Sequence, residues 1–237
     1  MVKLWNARTP PNFRFSAKFP RVITHEKKFH NCEKELDLFY NAVEPLKDKL
    51  LTLLIQFPPS FKIREGLDAL GKYDFYFDDT FRYSIEVRHP SWFNDLAYNF
   101  FKRYNICLVW NQLDVVQTPP VVTSDFVYIR FIGDRSINEK DFGTIQRDRA
   151  IEMLNWANKL KEVQQHEKDV ETAMVASNNH YAGFGPETSN MFREMLGLNR
   201  VRWGDEKDIP RMVEYEEISK NKKRATKQTS ISDFISK

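Results

Sequence analysis

The apolar positions of the chain alternate between two periods. Residues 13–19, 51–57, 81–88, 106–111, 126–132 and 170–176 are short runs rich in aromatic and β-branched side chains, and they read as strands. Between them the pattern predicts helices over 33–50, 63–73, 91–104, 142–165 and 186–196. In the first helix Leu36, Phe39, Tyr40, Val43 and Leu46 recur at helical spacing; in the fourth Ile151, Leu154, Ala157 and Val163 mark an apolar face. Ser91, just ahead of Trp92 and Phe93, is placed to cap the third helix.

Alternating strands and helices argue for an α/β fold with parallel strands and crossover helices. The run Leu51-Thr52-Leu53-Leu54-Ile55-Gln56-Phe57 is nearly all apolar, as expected of a strand covered on both faces. A doubly wound open sheet and a (β/α)8 barrel both fit this pattern. No glycine-rich phosphate loop follows any strand, which counts against a dinucleotide-binding domain. Six strands are short of a closed barrel by at least one βα unit. After Leu198 the pattern changes. Trp203, Ile209, Met212 and Val213 predict a last piece that packs on the body, and nothing is periodic beyond Glu217. The expected organisation is a body over 1–200, an extension over 201–217 and a flexible basic tail over 218–237.

Composition narrows the class. With 237 residues, 41% of them hydrophobic, the chain can bury one sizeable core. No apolar run approaches the ~20 residues of a membrane span, and the first residues lack the apolar stretch of a secretory signal. Cys32 and Cys107 stand far apart, so a disulfide framework and a cysteine zinc site are not expected, and a cytoplasmic location is. The net charge is +3, but residues 219–228 hold five basic residues and no acid; without them the remainder is at −2. The basic excess therefore belongs to the tail, and a basic nucleic-acid surface over the whole body does not follow.

Five collinear motifs carry a resemblance. They are Phe13-Arg14-Phe15-Ser16-Ala17-Lys18 with Arg21-Val22-Ile23-Thr24-His25, then Gln56-Phe57-Pro58-Pro59-Ser60-Phe61, then Glu86-Val87-Arg88-His89-Pro90-Ser91-Trp92-Phe93, then Phe126-Val127-Tyr128-Ile129-Arg130-Phe131-Ile132-Gly133, and Asn178-Asn179-His180-Tyr181-Ala182-Gly183. Together they resemble the YecE-like family, domain of unknown function 72. The resemblance implies a TIM-like (β/α) barrel. Family members open with a strand and a Gly-Thr-Ser-Gly-Trp-like loop that this sequence lacks, so the expectation is either an open barrel without its first βα unit or a chain whose true start lies upstream of Met1. Ala176-Ser177 stands where family members often carry an aromatic residue. The resemblance implies a fold and a pocket, not a reaction.

In such a barrel the active groups gather where strands end. Lys18, Gln56, Glu86, Arg88, Arg130 and Asn178 fall near predicted strand ends, with His25, His89 and His180 in the loops beyond. Lysine and two arginines beside asparagine and glutamine suit a phosphate or carboxylate, since arginine offers a planar fork and lysine a compact charge. Glu86, the one acid of the set, is the candidate general base or metal ligand. The expected catalytic residues are Glu86, Lys18, Arg88, His25 and His180; Arg130, Asn178 and Gln56 are expected to bind substrate or phosphate. Structural readings stand beside these. Glu86 and Arg88, two apart on one strand, can form a plain ion pair, Gln56 can end a strand, and the histidines can be hydrogen-bonded loop residues.

The terminus resembles the PIP box, the peptide by which proteins bind the sliding clamp PCNA: Gln228, Ile231 and Phe234 fit, and Ile235 replaces the second aromatic. Residues i and i+3 eclipse on a 3₁₀ turn, so Ile231 and Phe234 would enter one apolar pocket and Gln228 a polar one. The alternative is that they pack back on the body. The leading functional expectation is a PCNA-tethered, metal-dependent nuclease of DNA replication or repair, using Mg or Mn, in an archaeal cytoplasm. A non-enzymatic clamp adaptor or inhibitor, and a barrel enzyme for a phosphorylated or carboxylated small molecule, are the alternatives.

Overall fold

The computed structural model describes residues 1–202 apart from 74–76, 79 and 114–115. The chain divides into a main body, Val2–Asn199, and a C-terminal unit from Arg200 onward. The expected extension over 201–217 and the tail with Gln228, Ile231, Phe234 and Ile235 lie, but for Val201 and Arg202, outside the described residues.

The body opens on helix α1 (Val2–Arg8), then strand β1 (Phe15–Lys18) and a π-helical turn, Val22–Glu26. It continues with α2 (Glu33–Val43), β2 (Leu50–Gln56), α3 (Ile63–Lys72), β3 (Tyr83–Glu86), α4 (Asp95–Arg103), β4 (Ile106–Leu108) and β5 (Trp110–Gln112). Strand β6 (Phe126–Phe131), α5 (Ala150–His166), β7 (Thr172–Ser177), the single turn α6 (Asn179–Ala182) and α7 (Gly185–Met195) complete it. All pairings between these strands are parallel, in two sheets ordered β1-β2-β3-β4 and β5-β6-β7. The order follows the chain without the reversal that marks a doubly wound sheet.

Strand alternation sorts the side chains into two environments. Leu53, Ile55, Phe57, Tyr83, Ile85, Val87, Ile106 and Leu108 face a core shared with α2, α3 and α4. Trp110, Val127, Ile129 and Phe131 face a second core built with Met153, Trp156, Ala157, Leu160 and Val163 of α5 and Phe192 of α7. The opposite faces of the two sheets meet through Leu54, Cys107, Val109, Phe126 and Tyr128. Below that cluster Thr52 donates to Ser84 Oγ at 3.0 Å. Above it, toward the C-terminal strand ends, the same faces turn polar.

Several expectations change. The helix expected over 33–50 ends at Val43 and continues as a 3₁₀ segment, Glu44–Lys49, because Pro45 has no backbone N–H to continue the ladder. The strand expected over 106–111 divides at Val109, one half pairing with β3 and the other with β6. On α5, Ile151 and Leu154 are 80% and 47% exposed. The buried stripe runs instead through Met153, Trp156, Ala157, Leu160 and Val163. Ser91 does not cap α4. Its hydroxyl accepts from Ile63 N–H at 3.1 Å, at the start of α3, and Asn94 caps α4 by accepting from Ala97 N–H. Trp92 and Trp110 are buried core. Helix α1 was not anticipated; Lys49 Nζ ties it down through the carbonyls of Asn6 (2.6 Å) and Thr9 (2.7 Å).

Among the described residues no helix is long and apolar enough to cross a membrane.

Candidate functional site

Glu86 ends β3 with its side chain fully buried. A buried carboxylate is costly unless paired and hydrogen-bonded, and here both oxygens are engaged. Arg88 brings Nε and Nη2 to Oε1, each at 2.7 Å. Arg130, at the end of β6, donates Nη1 to Oε2. The first contact is local, since residues two apart share a strand face. The second joins strands of the two sheets. Each guanidinium keeps more than a fifth of its side chain exposed, at 23% and 22%, so both can reach a ligand and still hold Glu86.

Lys18 ends β1 beside this pair and is open to solvent. Desolvation and then the Arg130 charge hold its ammonium below the ordinary lysine range; Glu86 opposes that shift, while Arg88 and Arg21 add to it. His25 sits on the π-helical turn that follows β1, its Nδ1 2.8 Å from Thr24 Oγ1. Partial burial, then Arg21, Lys18 and Arg88, push its pKa down, which keeps the imidazole neutral at pH 7. Gln56, nearly buried, stands beside Glu86 in the β2–β3 register. Lys18, Glu86, Arg88, Arg130 and His25 thus form one cluster, with Gln56 at its edge.

The other expected residues engage neighbours of their own. Asn178 Oδ1 accepts from His180 N–H at 2.9 Å and starts α6. The His180 ring packs edge-on to Phe142, with centroids 4.9 Å apart. His89 Nδ1 accepts from Ser91 N–H at 3.1 Å and caps the turn Pro90–Trp92. Two residues of the cluster were not anticipated. Tyr128, buried, hydrogen-bonds Ser16, and burial pushes its phenol pKa up. Asn111, buried, pairs with Arg130 in register and donates to Val87 O at 3.4 Å. The signal for Tyr128 and its partner lay in the alternation: Tyr128 is two residues before Arg130 and Ser16 two before Lys18.

The expected metal does not fit these residues. Glu86 is the only acid in the cluster and both its oxygens are held by arginine. Among the described residues no three His, Cys, Asp or Glu side chains gather as a ligand set. The positive charge of the mouth suits an anionic ligand instead.

Parallel strands in chain order, with a cationic cluster at their C-terminal ends, define this as an α/β protein whose candidate site is made where its strands stop. A family model described as "Protein of unknown function DUF72" matches residues 1–213, and the chain belongs to that family. UPF0759 protein YunF of Bacillus subtilis (strain 168) is 24% identical, covering 82% of this chain and 77% of that protein. UPF0759 protein YecE of Escherichia coli (strain K12) is 33% identical over 93 residues, 39% of this chain and 34% of that protein, so the match spans about a third of that relative. The DUF72 protein TM1631 of Thermotoga maritima superposes with a TM-score of 0.67 at 26% identity, over 81% of this chain and 76% of that one. EF0366 of Enterococcus faecalis gives a TM-score of 0.69 at 25% identity, over 84% of each chain. These relatives are bacterial, which gives no support to the expected archaeal source.

Proposed function

We propose that the strands form a TIM-like barrel whose C-terminal mouth binds the phosphate or carboxylate group of a small substrate. The sequential strand order and the shared interior of the two sheets support the barrel. One observation carries the binding role: Lys18, Arg88 and Arg130 converge from three strand ends on a single buried carboxylate. Three cations against one anion leave an excess of positive charge that an incoming anion offsets. Arg88 and Arg130, already oriented by Glu86, are placed to donate to its oxygens, and His25 is the neutral base at hand.

Isothermal titration with inorganic phosphate tests this reading. Arg130→Gln and Arg88→Gln should each weaken binding at least tenfold, about 1.4 kcal/mol. Arg82→Gln, which removes an arginine paired with Asp125 and Glu171 where β3, β6 and β7 begin, at the opposite end of the strands from the cluster, should leave binding unchanged. Equal weakening in all three variants, or no binding by the unaltered protein, rejects the site.

The terminal peptide favours a second reading, in which the phosphate belongs to DNA and the protein is tethered to a sliding clamp through Gln228, Ile231, Phe234 and Ile235. Phe234→Ala should abolish co-elution with PCNA in size-exclusion chromatography. Co-elution that survives this change, or that never occurs, removes the tether and the DNA reading with it.

A further inference from the structure

Several lysines of the body have partners of the usual kind. Lys27 pairs with Glu35 at 2.7 Å, Lys159 with Glu162 at 2.8 Å, and Lys49 is held by backbone carbonyls. Lys18 has different company. It ends β1 on the same face as Ser16, which meets Tyr128 two residues before Arg130 on β6, so Lys18 and Arg130 leave facing strand ends on one side; Arg88 and Arg21 also act on it, and Glu86 is the one carboxylate among its electrostatic neighbours. Glu86 is already shared between Arg88 and Arg130. Among the described residues Lys18 forms no ion pair of its own, and it is exposed where β1 ends.

An ammonium in that position is relieved in two ways, by an anion or by losing its proton. A substrate whose anionic group rests on Arg88 and Arg130 leaves the amine of Lys18 next to the atoms beyond that group. Lysines beside other cations are those whose free amine is available to attack a carbonyl.

We propose that Lys18 is a nucleophile that forms an imine with an anionic carbonyl compound, a keto acid or a phosphorylated aldehyde. This rests on the anion-binding reading above and adds the chemical class of the substrate. The lone pair of Nζ attacks the carbonyl carbon and forms the C–N bond, while the C=O π pair moves to oxygen. Nζ gives up a proton, the oxygen takes one up, and a carbinolamine results. Loss of that hydroxyl as water breaks the C–O bond and leaves a protonated C=N; water reverses the sequence, so no oxidant or reductant is consumed. His25, neutral at pH 7 and electrostatically coupled to Lys18, is the group that accepts the proton from Nζ and returns it to the departing hydroxyl. Glu86, held on both oxygens, has no part in the transfer.

Reductive trapping is the test. The full chain is incubated at pH 7 with cyanoborohydride and either pyruvate or glycolaldehyde phosphate, then digested and analysed by peptide mass spectrometry. One adduct per chain, at Lys18, is expected with at least one of the two; which one reports whether the anion is a carboxylate or a phosphate. Lys18→Met and Lys18→Arg should both abolish it while melting within a few degrees of the unaltered protein. Acetone, which has no charge, should label Lys18 at least tenfold less, and inorganic phosphate should compete. Labelling spread over surface lysines in proportion to exposure overturns the proposal. A second measurement, competitive acetylation with acetic anhydride across pH, separates the two claims. If phosphate slows acetylation of Lys18 but no carbonyl compound is trapped there, the anion site stands and the imine does not. If Lys18 is trapped as readily by acetone and phosphate changes nothing, the anion reading fails and the substrate class with it.

Discussion

Replacing Glu86 with alanine is expected to cost about 3–5 kcal/mol of folding stability, the usual penalty for removing one partner from a buried ion pair. The loss does not come from hydrogen bonds alone. Glu86 is the only negative charge inside a group of Lys18, Arg88 and Arg130. Without it two half-buried guanidiniums, whose donors had fixed acceptors, face each other and the lysine across a desolvated floor. Glu86→Gln keeps the volume and one acceptor but removes the charge, and its amide N–H₂ points a donor at an arginine. It should therefore lose most of what the alanine variant loses. Urea denaturation at pH 7 reads both. Millimolar phosphate should restore part of the stability of Glu86→Ala, because an anion seated on the arginines replaces the missing charge. A loss below about 1 kcal/mol would mean that the arginines are solvated well enough to need no partner, as in exposed ion pairs, and the pre-oriented anion site would go with it.

That cluster was half visible in the chain. The pairing of Glu86 with Arg88 is written in their spacing, because residues two apart on a strand share a face. The contact with Arg130 is not, since it joins positions 44 residues apart in different sheets. His89 and Ser91 show the same limit from the other side. A serine before an apolar pair is a local cap signal, yet the loop carries its hydroxyl to the start of α3, 28 residues away, and leaves capping of α4 to Asn94. Strand identity was legible wherever β-branched and aromatic residues ran together. The break at Val109 was not, because nothing local marks where a strand leaves one sheet and joins the next. On α5 two apolar stripes compete, and only the packing against β5 and β6 decides that Met153 and Trp156 go inward while Ile151 and Leu154 stay out. At Asn178 and His180 a structural demand and a chemical candidacy are written in the same residues. Consecutive polar residues at a strand end suggested chemistry, but Asn178 satisfies the first free N–H of a helical turn.

Substituting Gly133 with alanine should separate the two loops that flank the mouth on the β6 and β7 side. Gly133 follows β6 by two residues and has φ +78°, a region that costs a residue with a Cβ roughly 1–2 kcal/mol. Space is the larger obstacle. A Cβ there would lie 2.2 Å from His180 O and 2.7 Å from Tyr181 Cα. Both are backbone atoms, so no rotamer change relieves the contact, and one loop must move. The loop beyond β7 is poorly free to do so: Tyr181 is buried, stacks on Phe131 with centroids 4.8 Å apart, and its carbonyl accepts from Arg149 Nε at 3.1 Å. Movement falls instead on the segment after β6, which carries Arg130 three residues earlier. Gly133→Ala should therefore lose about 2–4 kcal/mol in urea denaturation and should also weaken phosphate binding severalfold. Gly143→Ala is the matched control. It has a positive φ of +109° but nothing within 4 Å of the added Cβ, so it should show the backbone strain alone and bind phosphate normally. If the two variants lose the same stability and bind alike, close approach of the loops contributes nothing, and Arg130 is held in place by its own strand and by Glu86.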